Sequence, residues 1–238
     1  MSEFFRFPHT PHLAWLGEGR PRDDKVMAKA DVAAFLTSDV VLEEKVDGAN
    51  LGFSVSPDGE LRAQNRGQFL HPPYAGQFAR LAAWLSTRSE TISDVLMANA
   101  SGGLMLFGEW CTAKHSLAYD RLPDWFLLFD VYETAAKVFW SSPRRDSLAQ
   151  RLGLATVPRL AVGRYTLNQL KAMVSDQPSH LRMGSLEGLV IRRESPMECL
   201  QRAKLVRADF AQGMDDHWRS RPIEWNRLGA AGYEAGVS

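Results

Sequence analysis

The sequence predicts an α+β fold in which packed antiparallel β-sheets carry flanking helices. Three observations point there. Apolar and alternating runs suited to strands crowd the middle of the chain, segments with helical spacing surround them, and the two kinds never alternate in the βαβ rhythm of a parallel sheet.

Taken in order, residues 1–38 open with Pro, His and Trp in irregular sequence and then give a short helix near 29–36. Val40-Val41-Leu42 is the first clear strand. Residues 51–56 and 60–64 flank Pro57-Asp58-Gly59, turn chemistry that closes a hairpin. Over 74–87, Phe78, Leu81, Ala82 and Leu85 recur at helical spacing and predict a helix, and a second helix covers 91–99. The runs 103–110 and 125–132 are continuously apolar and read as buried strands. Residues 143–152 form a helix with Pro143 at its start and Gly153 at its end, and Thr166 caps another over 166–174. Residues 186–192 and 199–206 are strands suited to pairing with each other. A last helix covers 208–219, and the tail from Gly229 is expected to fray.

Composition bounds the function classes. The 238 residues are 45% hydrophobic and 24% charged, an ordinary globular balance with enough chain to bury a core. Lys plus Arg and Asp plus Glu both number 28, so no whole-protein field draws in nucleic acid and any such site must be a local cluster of bases. Cys111 and Cys199 cannot make a disulfide framework, which suits a reducing compartment. There is no signal-peptide pattern, and no apolar run nears the roughly 18 residues that span a bilayer. A cytoplasmic location without membrane association is expected.

Six short segments sit at or beside the expected strands. They are Glu44-Lys45-Val46-Asp47-Gly48-Ala49-Asn50, Arg66-Gly67, Phe107-Gly108-Glu109, Phe129-Asp130, Glu187-Gly188-Leu189-Val190 and Arg202-Ala203-Lys204-Leu205-Val206-Arg207. Singly each is bland: a lysine before a turn is usually solvated, and Arg202 and Lys204 alternate with apolar residues as any half-exposed strand would. Their joint order is specific. It resembles the covalent nucleotidyltransferases, the polynucleotide ligases and mRNA capping enzymes, over about residues 40–207. The Lys-x-Asp-Gly motif is Lys45-Val46-Asp47-Gly48, and Asn50, two residues beyond its glycine, is similar to the first motif of phage-type nick-sealing RNA ligases. Thr10-Pro11-His12-Leu13, Asn65-Arg66-Gly67 and residues 203–210 also look like the flanks of bacterial and phage RNA ligases. Two positions depart from the pattern: phage-type enzymes often carry His where Asp47 stands, and Arg202 replaces the more common Lys, keeping charge but changing geometry.

The resemblance implies a nucleotidyltransferase (ATP-grasp-like ligase) fold over 39–207, with 1–38 as an extension packed on it and 208–238 as a helix and tail. It implies an ATP-dependent RNA ligase in which Lys45 takes AMP, passes it to a 5′-phosphate end, and a 3′-hydroxyl end displaces it. Mg²⁺ or Mn²⁺ is the implied metal, bound at Glu187. By the same resemblance Glu44 lines the adenine edge, Phe129 stacks on the ring, and Arg66 and Glu109 hold the ribose. Lys204 and Arg202 grip the α-phosphate, Asn50 orients phosphate oxygens or attacking groups, and Asp47 belongs to the catalytic motif. The implied partners are RNA ends, with an end-healing kinase/phosphatase as a further candidate. Lysine must attack as a neutral amine, so its pKa has to fall from about 10.4, and Lys204, Arg202, Arg66 and the metal are expected to supply the positive charge that lowers it.

Rival readings stay open. A DNA ligase or capping enzyme is expected to carry an OB-fold after the last motif, and residues 208–238 are too few for one. An inactive end-binding module is expected to have lost Lys45 or Glu187, and both are present. A transferase that adenylylates another acceptor is the third. Among other residues, the six histidines show no metal-ligand spacing. Cys111 reads as a small buried thiol, Trp84 and most other tryptophans as core, and Lys114-His115 as a surface loop in preference to a contact with a nucleic-acid end. Arg207, Arg219, Arg221 and Arg227 suit phosphate tracking and helix solvation equally.

Overall fold

The computed structural model describes residues 4–19, 25–98, 103–212 and 222–230. In chain order the elements are α1 (Lys29–Phe35), β1 (Val40–Lys45), β2 (Ala49–Val55), β3 (Leu61–Gln64), β4 (Phe69–Leu70), a 3₁₀ turn (Gly76–Phe78), α2 (Leu81–Leu85), α3 (Ser89–Met97) and β5 (Leu104–Trp110). There follow β6 (Phe126–Glu133), β7 (Val138–Phe139), α4 (Ser142–Leu152), β8 (Ala155–Thr156), β9 (Arg159–Gly163), α5 (Leu167–Asp176), β10 (Gly188–Glu194), β11 (Cys199–Val206) and α6 (Ala208–Gln212).

Two antiparallel sheets form, as the α+β expectation requires. One has the strand order β11-β10-β1-β9; the other runs β4-β3-β2-β5-β6-β7, with β8 added to β6 in the one parallel pairing among the described strands. The hairpin at Pro57-Asp58-Gly59 pairs Val55 with Leu61, and Gly59 supplies the left-handed residue (φ 85°) its turn needs. The expected pair 186–192 and 199–206 is β10 with β11, from Gly188 opposite Val206 to Glu194 opposite Cys199.

Each sheet buries its own core. Phe53, Trp84, Trp110, Phe126 and Leu148 pack the larger sheet against α2, α3 and α4. Phe35, Leu42, Leu170, Val174, Ile191 and Leu205 pack the smaller sheet against α1 and α5. Helix α4 ends at Gly153 in the left-handed region (φ 62°), and α5 begins in a capping box, Thr166 accepting from the Gln169 amide while Gln169 returns a bond to the Thr166 amide. The first residues join the larger sheet: Phe5 stacks on Tyr132 at 4.1 Å, and Phe7 packs on Phe107 and Phe129.

Several elements differ from the expectation. The helix over 74–87 is a 3₁₀ turn followed by the five-residue α2. Gly76 sits at φ 58°, a left-handed residue that a continuous right-handed helix cannot contain, while Phe78, Leu81 and Trp84 still face the core. Of the helix over 208–219, Ala208–Gln212 is described and the rest, with Arg219, lies outside the described residues, as do Arg221 and the tail beyond residue 230. Gly229 is not frayed: its amide donates to the Leu122 carbonyl at 2.8 Å.

The sheets leave little room at close approaches. A Cβ on Gly108 would meet the Phe126 ring at 2.4 Å and the Leu127 carbonyl oxygen at 2.6 Å. Gly108→Ala is therefore expected to lower unfolding stability by about 1–3 kcal/mol, the usual cost of overpacking, read as a shifted urea midpoint with an unchanged slope.

Candidate active site

The pairing of β1 with β10 places Lys45 opposite Gly188, so the last residue of β1 meets Glu187 just ahead of β10. Lys45 Nζ donates to Glu187 Oε1 at 2.6 Å. Gly188 is required there because β11 runs against it: a Cβ would lie 2.3 Å from the Leu205 carbonyl oxygen. The pair lies in a cleft of about 1150 Å³ bounded by strands of both sheets. Glu44, Asp47, Asn50, Arg66, Glu109, Phe129, Arg202 and Lys204 line the same cleft, so residues spread over most of the chain converge on Lys45.

Their local settings differ. Asp47 Oδ2 accepts from the Ser116 and Leu117 amides at 2.7 and 2.9 Å, while the Asp47 amide donates to the Tyr119 hydroxyl at 2.8 Å, so the loop after β5 holds the turn that follows Lys45. Gly48 lies against β5, where a Cβ would be 2.7 Å from the Trp110 carbonyl oxygen, so close strand contact explains this glycine. Glu44 is buried, with its carboxylate held by the Ser179 hydroxyl and the His180 amide (2.9 Å). Asn50 faces Glu109 across the β2–β5 pair. Phe129 is half-buried at the cleft wall with Phe7 5.2 Å away. Lys204 lies opposite Val190, its backbone bonded on both sides to the N-terminal segment: its amide donates to Pro11 and its carbonyl accepts from Leu13. Arg202 is turned into the wall, paired with Asp130 and covering the Phe7 and Phe139 rings.

The electrostatics correct one expectation. Lys204, Arg202, Arg66 and a metal were to lower the Lys45 amine, and the protein groups alone do not. Burial does pull it down, but Glu187, Asp47 and Glu109 outweigh that and hold it above its ordinary value. Burial lifts the Glu109 carboxyl to about 8, against the opposing pull of Lys45 and with Asp47 and Glu187 adding to the rise. Glu187 is likewise raised by burial, with Lys45 opposing. At neutral pH the site without ligands thus sets a lysine ammonium beside Glu187 and Asp47, with the Glu109 carboxyl largely protonated.

Apart from the ion-paired Glu43 carboxylate, three buried polar atoms of cleft-lining residues, Asn50 Oδ1, Arg66 Nε and Glu187 Oε2, have no hydrogen-bond partner among the described residues. Unmatched donors and acceptors of this kind suit a polar ligand. Among the described residues no three His, Cys, Asp or Glu side chains cluster as a preformed metal cage. Glu187, with a partnerless oxygen, fits the looser scheme in which Mg²⁺ takes one or two carboxylates and completes its shell with phosphate and water.

Several supporting residues carry no motif signal. Tyr119 and the 111–119 loop were not foreseen, nor was the segment 222–230 that binds that loop. Buried Asn226 accepts from the Tyr119 amide at 2.8 Å and donates to the Cys111 and Ala113 carbonyls at 2.9 and 3.1 Å. Lys114 and His115 do line the cleft; Lys114 pairs with Glu224 at 2.6 Å and His115 contacts Gln77 at 2.7 Å. Cys111 is the buried thiol expected, its pKa pushed well up by burial and by Glu109. Arg207 pairs with Asp209, and Arg227 joins the loop through its amide to the Tyr119 carbonyl.

In the wall of the cleft a second charged group joins the sheets. Arg192 of β10 reaches Asp130 at 2.8 Å and Glu194 at 2.5 Å, and Arg145 of α4 reaches Glu43 of β1 at 2.6 Å. Both guanidinium groups also donate to the Phe129 carbonyl. The sequence held one signal: Arg145 occupies the helical stripe completed by Leu148, Ala149 and Leu152, a charge where α4 faces the core.

The fold of two antiparallel sheets with flanking helices has solved counterparts. The structure is similar to Naegleria gruberi RNA ligase with PPi, at TM-score 0.60 and 20% identity over 79% of this chain and 55% of that one. It is similar to an alanine variant of the same ligase with ATP and Mn, at TM-score 0.61 and 18% identity over 86% and 63%. Another variant, in the apo form, gives TM-score 0.59 and 18% identity over 90% and 64%. The chain spans less than two thirds of the length of these proteins, and the likeness is one of fold. Comparison with curated proteins gives no match. The RNA ligase family model matches residues 38–206, and the chain belongs to that family.

Proposed function

We propose that the chain is an ATP-dependent RNA ligase of the nucleotidyltransferase fold, with Lys45 as the nucleophile that carries AMP. The observation that supports this most is the Lys45–Glu187 pair at 2.6 Å inside the cleft that gathers the motif residues. Deprotonated Lys45 Nζ bonds to the α-phosphorus of ATP, the bond to the β-phosphate oxygen breaks, and pyrophosphate leaves; the surplus ammonium proton goes to solvent. An oxygen of a 5′-phosphate then displaces the lysine, and a 3′-hydroxyl attacks that 5′-phosphorus and releases AMP. Such chemistry is mostly positioning and charge neutralisation.

Glu44 and Phe129 serve the adenine, Arg66 and Glu109 the ribose, and Lys204 the α-phosphate. Asn50 orients phosphate oxygens, and Asp47 keeps the turn beside Lys45 in place. Arg202 contributes charge to the α-phosphate from the wall, anchored by Asp130. Mg²⁺ or Mn²⁺ at Glu187 supplies positive charge that neutralises the triphosphate and favours the free amine. The chain works in this reading on RNA ends in the cytoplasm, with an end-healing kinase/phosphatase to prepare them. No helix among the described residues is long and apolar enough to cross a membrane.

Protein given ATP and Mg²⁺ or Mn²⁺ is expected to gain the mass of AMP on Lys45, and chelation of the metal should prevent it. An adduct on a different lysine, or none with either metal, overturns the enzyme reading. Nicked duplexes differing only in the last two sugars of the 3′-hydroxyl strand then test the polymer, because the 2′-hydroxyl is what distinguishes RNA from DNA. Sealing should require ribose there; equal rates with deoxyribose would leave a polynucleotide ligase without the RNA assignment.

A further inference from the structure

Beside the residues Gln77, Lys114 and Glu224 of the cleft lining, Arg80 sits between two indoles. Its guanidinium carbon is 5.3 Å from the Trp125 ring centre and 4.5 Å from that of Trp225. Arg80 is exposed, and among the described residues it forms no ion pair. Trp225 is 40% exposed, a large apolar surface left to water. It is nevertheless held in place: its backbone bridges Ala113, the preceding Glu224 carbonyl accepts from the Lys114 amide at 2.8 Å, and the following Asn226 is buried and bonded three times by its side chain. Gln77, Lys114 and Glu224, neighbours of Arg80 and Trp225, line the cleft that holds Lys45.

We propose that Trp225, Arg80 and Trp125 form a stacking platform for an unpaired nucleotide of the RNA strand beside the end being joined. The proposal rests on the RNA ligase reading and adds the surface that holds the polymer. Every nucleobase has a face that stacks on an indole, and a guanidinium can stack on a base or bind a phosphate, so this combination takes single-stranded nucleic acid without reading its sequence. It also gives a chain of zero formal net charge a local cation and, in Trp225, an exposed indole, with half-buried Trp125 backing the guanidinium. A rigid exposed indole loses little conformational freedom on binding, which favours it over a flexible side chain at such a place.

The test measures binding of a labelled, 5′-phosphorylated single-stranded RNA oligonucleotide by anisotropy, with AMP transfer to Lys45 followed separately. Trp225→Ala and Arg80→Ala should each weaken RNA binding about tenfold while AMP transfer from ATP keeps its rate. Trp225→Phe, which retains an aromatic face, should restore most of the affinity. Unchanged RNA affinity in both alanine variants overturns the platform. So does an equal loss of AMP transfer in Trp225→Ala, because the indole would then act through the 111–119 loop on Lys45. If Trp225→Ala fails to fold, the exposed Arg80→Ala decides. Loss of RNA affinity in the variants of a protein whose wild type takes no AMP would uphold the platform and remove the ligase reading.

Discussion

Lys45→Ala is expected to carry no AMP at all when incubated with ATP and a divalent metal, and to seal no end that lacks a preformed adenylate. The lysine is the sole proposed bond to AMP, so its loss has no partial form, and intact-mass measurement checks it directly. The protein should stay folded, because 24% of the lysine side chain is exposed on the cleft and the Glu187 carboxyl, 8% exposed and raised by burial, can take up a proton when its partner is gone. Glu187→Ala should likewise lose AMP transfer while keeping its cooperative melting transition. A Glu187→Ala protein that does not fold would mark the pair as a structural tie between β1 and β10. A Lys45→Ala protein that still accepts AMP would end the proposed mechanism.

Arg192→Ala should produce the largest loss of stability, about 3–5 kcal/mol, as expected when one partner of a buried charge group is removed. The guanidinium is 1% exposed and answers Asp130 and Glu194, with Glu43 at 3.8 Å, while donating to the Phe129 and Trp140 carbonyls. Alanine would leave Glu194 without its guanidinium and the Trp140 carbonyl without this donor, and would remove one of two cations from Asp130 and Glu43, which keep Arg202 and Arg145. Urea denaturation followed by tryptophan fluorescence measures the cost. A loss below about 1 kcal/mol, the scale of an exposed ion pair, would show that the group contributes little to joining the sheets. Arg192→Met, close in length and uncharged, should remain destabilised because buried Glu194 still lacks its cation.

Much of the site was legible because its signal is local. Lys45, Asp47, Gly48 and Asn50 fall within six residues at a strand end, and Glu187-Gly188 and Arg202-Ala203-Lys204 have the same compactness. Strands with a clear apolar or alternating pattern were equally readable, as were α4 between Pro143 and Gly153 and α5 after Thr166. The two-residue strands β4, β7 and β8 were not, since two residues show no periodicity and exist only through their partners. The expected helix over 74–87 failed for a different reason: its apolar spacing was real, but Gly76 takes a left-handed conformation that spacing does not encode.

By itself the sequence determined the motif residues that the fold gathers in one cleft, their order, and the mixed antiparallel class, because those depend on residue type and short-range periodicity. Tertiary structure alone decided their electrical state and their supports. Lys45 is held as an ammonium by Glu187, Asp47 and Glu109, which lie far apart along the chain except for Asp47, and no local rule weighs burial against their summed charge. Arg202 is anchored to Asp130, Asp47 is held by the 111–119 loop, and that loop is bound by Asn226, over 100 positions along the chain. These links are made where strands from both sheets and a late segment meet, and the energy of a charge or hydrogen bond there depends on partners and burial that exist only once the chain has folded.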